Sequence, residues 1–264
     1  MTMITLNIEL AQLQMFFLVF LRVGAILITM PVFESRSIPH VFKLALAFAT
    51  SLIMFPMLKL HPAPLSSSII GLGIGAAGEI MLGLAIGFSV KLIFAGIQMA
   101  GQMAGFQMGM ALANVMDPGQ SQQIPLLAQF NNLVALLVFL ALNAHYWFIK
   151  ALAHSYRLVP PFQVHLDGAL AEHLIQLGGN MFVIAIQVAA PVTAALLLTS
   201  VAFGLVARTV PQMNVFIVAM PLKIGVGLLF LGFSLPYFAT FLKKIFNGLG
   251  LHIAMVLNSM SAIQ

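Results

Sequence analysis

Apolar residues run along this chain in blocks of membrane-spanning length, separated by short stretches where prolines and polar residues gather. A hydrocarbon layer of about 30 Å takes roughly 20 apolar residues in helical conformation. Residues 11–30 meet that length, with Arg22 as the one charge inside. Residues 41–60 form a shorter run, broken by Pro56 and bearing Lys43 and Lys59 near its ends. The prolines and serines of residues 61–68 cannot continue a helix and predict a turn. Residues 69–116 are a single apolar run interrupted only by Glu79 and Lys91. As one helix it would be about 70 Å long, so the pattern predicts either a hairpin breaking near residues 89–92 or a helix reaching beyond the lipid. Residues 126–148 form another span, containing Asn131 and Asn132, and residues 150–179 are the most polar stretch. Part of that stretch is expected to lie along an interface as a short amphipathic helix. Residues 181–206, with Pro191 inside, and residues 216–241, with Pro221, Lys223 and Pro236, predict two further spans around a loop at residues 208–214. Lys243, Lys244 and an amphipathic segment at residues 245–257 follow.

The most distinctive pattern lies at residues 96–125, GIQMAGQMAGFQMGMALANVMDPGQSQQIP. Gly101, Gly105 and Gly109 recur every fourth residue, which on a helix places them in one row where a second backbone can come close. Gln98 and Gln102 share that face, and Met99, Met103, Phe106 and Met110 form the stripe beside it. The spacing fits two readings. One is a packed transmembrane helix with methionine as filler. The other is a surface that accommodates a partner of changing shape, because thioethers are adaptable and glycines permit backbone rearrangement. Replacing Gly105 with leucine is expected to block assembly, because close helix approach is lost. The GxxxG spacings at Gly71-Gly75 and Gly83-Gly87 add to the expectation of close helix packing.

Composition decides the solvent. Of 264 residues 61% are hydrophobic and 6% charged, with a mean hydropathy of +1.08. Soluble domains carry about 25% charged residues, so this chain cannot coat a water-facing globule and reads as one membrane domain over residues 1–264. A net charge of +5 is spread thinly, which suits lipid headgroups rather than nucleic acid. Positive residues occur in almost every connection, so their distribution assigns no orientation. The first ten residues hold Glu9 and neither lysine nor arginine, so the first span is expected to insert uncleaved. Proline-broken and charge-bearing spans are poorly suited to lipid. They predict helices shielded by other protein, with a conventional bundle of six or seven spans as the alternative.

Candidate chemistry is sparse. The chain has no cysteine, which excludes disulfides and thiolate sites. His145, His154, His165 and His173 are spaced by nine, eleven and eight, which matches no standard metal-ligand pattern. The glycines of residues 71–79 lack the offsets of a dinucleotide-binding turn. Arg22, Glu79 and Lys91 are intramembrane charges and hence functional candidates. The competing account is that they pair with one another or with a partner subunit.

Three motifs in order narrow the field: RVGAILITMPVFESRSIPHVFK at residues 22–43, GFQMGMALANVMDP at residues 105–118, and RTVPQMNVFIVAMPLKIGVG at residues 208–227. Together they resemble the FliR family, the R subunits of the bacterial flagellar type III export gate, whose injectisome counterparts are the T-type components. The resemblance runs from about residue 10 to about residue 245. It departs from the family at Ala219-Met220-Pro221, where the family favours glycine in place of the alanine.

The resemblance implies an all-α fold of long bent helical hairpins, packed against other subunits rather than forming a lipid-facing bundle. It implies a non-catalytic pore component, without a cofactor, in the bacterial inner membrane at the flagellar basal body. The implied partners are P-type and Q-type gate subunits, a B-type switch subunit, membrane lipid, and the unfolded flagellar proteins that pass through. The family's loop after the glycine-methionine helix plugs the pore. Carried over, the plug is roughly residues 109–124, and the gating set is Gly105, Met108, Gly109, Met110, Asn114, Met116, Asp117 and Pro118. Contacts to neighbouring subunits fall to Arg22, Gly101, Arg208, Pro211, Gln212, Asn214 and Lys223. Two other classes compete: a small-molecule or ion transporter of the inner membrane, which should show discontinuous helices in two related halves, and a scaffold without a conduit.

Overall fold

The computed structural model describes residues 10–34, 38–58, 69–110, 125–164, 168–210, 212 and 214–260. Among these residues the only extended regular structure is α-helix. The helices are α1 (Leu10–Thr29), α2 (His40–Met57), α3 (Ile69–Gln107), α4 (Leu126–Ala141), α5 (His145–Leu158), α6 (Gly168–Thr209), α7 (Val215–Asn247) and α8 (Leu249–Ser259). A 3-10 turn at Pro31–Phe33 follows α1. Five helical segments are long and apolar enough to cross a membrane, or six if α4 and α5 count as one broken span. The chain is an all-α membrane protein.

The run from residue 69 settles the first open expectation. It is one continuous helix of 39 residues, without a hairpin at residues 89–92. Neither proline nor a polar cluster interrupts it, so nothing compels a break. α6 runs through Pro191, and α7 through Pro221 and Pro236. A proline inside a helix removes one backbone hydrogen bond, a loss that membrane helices tolerate when neighbours satisfy the freed carbonyl. The turn expected at residues 61–68 lies outside the described residues. The amphipathic helix expected within residues 150–179 corresponds to α5, which starts earlier, at His145.

The chain packs as two compact units, each assembled from segments distant in sequence. The first comprises residues up to 91, residues 143–176 and residues from 248. Its core sets Leu18, Val19, Val23 and Ile26 of α1 together with Leu82 and Ile86 of α3, Leu152 and Tyr156 of α5, and Ile253 and Val256 of α8. α1 meets α2 through edge-to-face rings, Phe16 with Phe48 at 5.5 Å and with Phe55 at 5.8 Å. Arg22 of α1 and Glu79 of α3 are fully buried in this unit and form an ion pair. Arg22 Nη2 also donates to Glu79 Oε1 at 2.9 Å and to the Val159 carbonyl at 3.0 Å, while Nη1 donates to Ser155 Oγ at 3.1 Å. The Tyr156 ring stacks 4.1 Å from the guanidinium, and its hydroxyl donates to the Val19 carbonyl. Lys91, the third intramembrane charge, pairs with Glu34 instead.

The second unit comprises residues 92–142 and 177–247. Here α4 packs against α7, and Phe94, Phe139 and Phe246 form a buried trio with ring centroids 5.3–5.7 Å apart. α6 and α7 leave long apolar rows exposed, among them Leu198, Val201 and Leu205 on one and Leu229, Phe230 and Phe233 on the other. Rows of this length require an apolar cover, lipid or protein.

Candidate functional site

The glycine-methionine stretch ends in the second unit, and its geometry explains both where α3 stops and what holds its end. Gly109 has φ +82°, a left-handed conformation that costs a residue with a Cβ about 1–2 kcal/mol. The amide of Met110 donates to the Gly105 carbonyl at 3.1 Å, and that of Gly109 donates to the Phe106 carbonyl at 3.0 Å. This nested pair is a Schellman cap with glycine at its left-handed position, which satisfies carbonyls that the helix end would otherwise orphan. Sequence spacing had put Gly109 on the same helical row as Gly101 and Gly105. It belongs to the cap, because α3 closes at Gln107.

Below the cap, α3 is held by shape. Met108 is fully buried in a cluster with Ala104, Leu127, Val192 and Leu196, against which Met110, Ile224 and Leu231 also pack. Its thioether fits a notch at Gly227 of α7, where an added Cβ would come within 2.8 Å of its Cγ and Sδ. The Met220 methyl lies 3.6 Å from the position of a Cβ on Gly109. Two turns further back, Gly101 faces the α4 backbone, and an added Cβ would lie 2.6 Å from Ala128 Cα and 2.7 Å from the Leu127 carbonyl oxygen. Among the described residues, a Cβ on Gly105 would meet only Leu127 Cδ1, at the ordinary distance of 3.8 Å. Among the described residues of this chain, the position of the two that depends on having no side chain is therefore Gly101. The row approaches α4 most closely at its start and diverges toward the cap.

The polar groups of this face separate in role. Gln98 Nε2 donates to Asn132 Oδ1 of α4 at 3.0 Å, which ties the two helices together. Gln102 and Phe106 are exposed, and Met103 is half-buried. Gln107 Oε1 is buried with no hydrogen-bond partner among the described residues. A soft, capped helix end thus carries an unsatisfied acceptor and leads directly into residues 111–124. Asn114, Met116, Asp117 and Pro118, four of the gating residues expected from sequence, lie outside the described residues.

Of the expected interface positions, Gly101 packs within the chain against α4, and Arg22 makes all of its described hydrogen bonds in the first unit. Arg208, Gln212 and Asn214 are exposed at the α6–α7 connection, Lys223 is half-buried on α7, and Pro211 lies outside the described residues. Gly227, Leu127 and Asn132 escaped sequence reasoning as parts of the site. Asn132 carried a signal, a polar side chain in an apolar span, whereas nothing in the order of residues marks Gly227 as the seat of Met108.

Long apolar helices, internally paired charges and a methionine-glycine helix end define a membrane protein built for close and adjustable packing. The family model for bacterial export proteins, family 1, matches residues 13–249. The chain is 35% identical over 236 residues to the flagellar biosynthetic protein FliR of Bacillus subtilis (strain 168), covering 88% of this chain and 90% of that protein. It is 33% identical over 251 residues to FliR of Pectobacterium carotovorum subsp. carotovorum, and 31% identical over 247 residues to FliR of Escherichia coli (strain K12), with 94% of both chains covered in each case. The chain belongs to the bacterial export protein family 1, the FliR family, as the three motifs had indicated.

Proposed function

We propose that this chain is a non-catalytic pore subunit of the flagellar type III export gate in the bacterial inner membrane, at the basal body. It assembles there with P-type, Q-type and B-type subunits, and residues 109–124 form a plug that seals the channel. The observation that carries this reading is the anchored end of α3. Met108 is buried in the Gly227 notch, and Gly109 turns the chain out of the helix immediately beyond it. A plug must stay attached at its root through packing that can adjust, and must yield beyond it. A buried thioether supplies the hold and a glycine cap supplies the pivot. The exposed Arg208, Gln212 and Asn214, with Lys223, are assigned to contacts between subunits, and the apolar rows of α6 and α7 to faces that neighbouring subunits cover.

The transporter alternative expects helices broken near the bilayer midplane in two related halves; α6 and α7 continue through Pro191 and Pro221, and the one broken pair among the described residues is α4 with α5, bent by 65°.

The test places a photo-crosslinking residue at Met110 in cells stalled while exporting a flagellar protein. A crosslink to the stalled chain, absent from non-secreting cells, is the expected result. Crosslinks to neighbouring membrane subunits alone, with stalling verified, would reduce the methionine stripe to packing.

A further inference from the structure

Helix α5 carries chemistry that neither the buried ion pair nor the α3 cap uses. Its inner side, Phe148, Ala151, Leu152 and Tyr156, packs into the first unit. Its outer side exposes Lys150, His154 and Arg157, four and then three residues apart and so on one helical row. Neither α5 (HYWFIKALAHSYRL) nor α8 (LGLHIAMVLNS) contains a carboxylate to neutralise that row. The Lys150 ammonium lies 4.9 Å from the Tyr146 ring centre and 5.1 Å from that of Trp147. A cavity of about 270 Å³ opens between α5 and α8, walled by Trp147, Lys150 and His154 on one side and Ile253, Ala254 and Leu257 on the other. Gly250 lets the indole lie flush against α8, since a Cβ there would come within 2.6 Å of the Trp147 ring.

We infer that this cavity binds an anionic phospholipid, its phosphate at Lys150 and His154 and an acyl chain along Ile253, Ala254 and Leu257. Cations on one row attract any anion, and three further features select a lipid. The cationic wall faces an apolar wall across one small cavity, which matches an amphiphile rather than a soluble phosphate. Tyrosine and tryptophan beside the lysine are the residues that settle at headgroup depth in a membrane. Two cations, Lys150 and Arg157, flanking an imidazole on one row are costly in hydrocarbon, so a membrane protein that exposes them keeps them at the headgroup level, where anionic lipids concentrate. None of these points depends on the channel reading.

Trp147 is the only tryptophan in the chain, so its fluorescence reports on this cavity alone. The full chain is reconstituted in bilayers containing phosphatidylglycerol or phosphatidylcholine brominated on the acyl chains, and quenching is followed against lipid fraction. Phosphatidylglycerol is expected to reach half-quenching at a fraction on the order of tenfold lower than phosphatidylcholine. Lys150→Gln with Arg157→Gln should erase that preference, and Lys243→Gln with Lys244→Gln, an equal loss of exposed charge on α7, should preserve it. Equal quenching by the two lipids would overturn the inference. So would an equal loss of preference in the α7 variant, or the absence of quenching by either lipid.

Discussion

The two packed units hold themselves together by opposite means. At the centre of the first, a guanidinium fully removed from solvent is met by a carboxylate, a hydroxyl, a backbone carbonyl and an aromatic face. At the centre of the second, a methionine sits against a glycine among small and branched apolar side chains. Directional bonds to a buried charge permit one arrangement, because any displacement strands a polar group in a medium that cannot solvate it. A thioether in an apolar notch permits several, because its three rotatable bonds refill a changed space at little cost. A chain that combines the two has a rigid frame and a region able to shift. The glycine cap and the Met108 seat are in the region able to shift.

The largest effect that can break this contrast comes from the ion pair. Arg22→Ala leaves Glu79 buried without its cation, and breaking such a pair from one side costs about 3–5 kcal/mol. The variant chain is expected to be lost from the membrane fraction, or to unfold in detergent at a much lower temperature than the parent. Arg22→Met combined with Glu79→Leu removes both charges, and its stability should return to within about 1–2 kcal/mol of the parent. If the double variant is as unstable as the single one, the pair contributes beyond satisfying its own charges, and the rigid frame depends on Ser155, Val159 and Tyr156 as well.

A smaller effect distinguishes two glycines four residues apart. Gly101→Ala drives a Cβ into the α4 backbone and should cost up to about 3 kcal/mol, the upper end for overpacking. Gly105→Ala adds a Cβ at ordinary distance from Leu127 Cδ1 and should cost under about 1 kcal/mol. Thermal unfolding of the two variants in detergent checks the order. Equal destabilisation would mean that the row packs evenly along its length, contrary to the divergence of α3 from α4 toward the cap.

How far the residues announced these features depends on the range of the interaction. Most helix spans were legible because apolar run length is a local property, and the unbroken α3 was one of two outcomes that the run at residues 69–116 allowed; the span expected at residues 126–148 instead breaks after Ala141 and bends by 65° into α5. The ion pair was legible as a question: charges at Arg22, Glu79 and Lys91 in apolar runs demand partners, and pairing among them was one account of them. Which charges pair is a matter of tertiary geometry, and Lys91 went to Glu34, a residue outside the spans that had drawn no notice. Periodicity placed the glycine row on one face but could not locate the end of the helix. A Schellman cap needs only one left-handed residue, and a glycine at that position looks like one more member of the row. The seat of Met108 at Gly227 joins residues far apart in sequence, and no local pattern encodes it.

The smallest effect lies in the one polar tie across the soft region. Gln98 donates to Asn132 at 3.0 Å between α3 and α4, with both side chains partly buried. Hydrogen bonds between membrane helices average about 0.6 kcal/mol and reach about 1.7 at most, because the separated helices find other partners for the same groups. In a double-mutant cycle of Gln98→Ala and Asn132→Ala, the coupling from detergent unfolding should fall near the lower of these values. A coupling that small makes the bond a register pin, and shape at Gly101 then carries the association of α3 with α4. A coupling of 2 kcal/mol or more, on the order seen for contacting networks, would put a rigid polar clamp about three turns from the cap. The second unit would then be held by the same means as the first, and the contrast between them would fail.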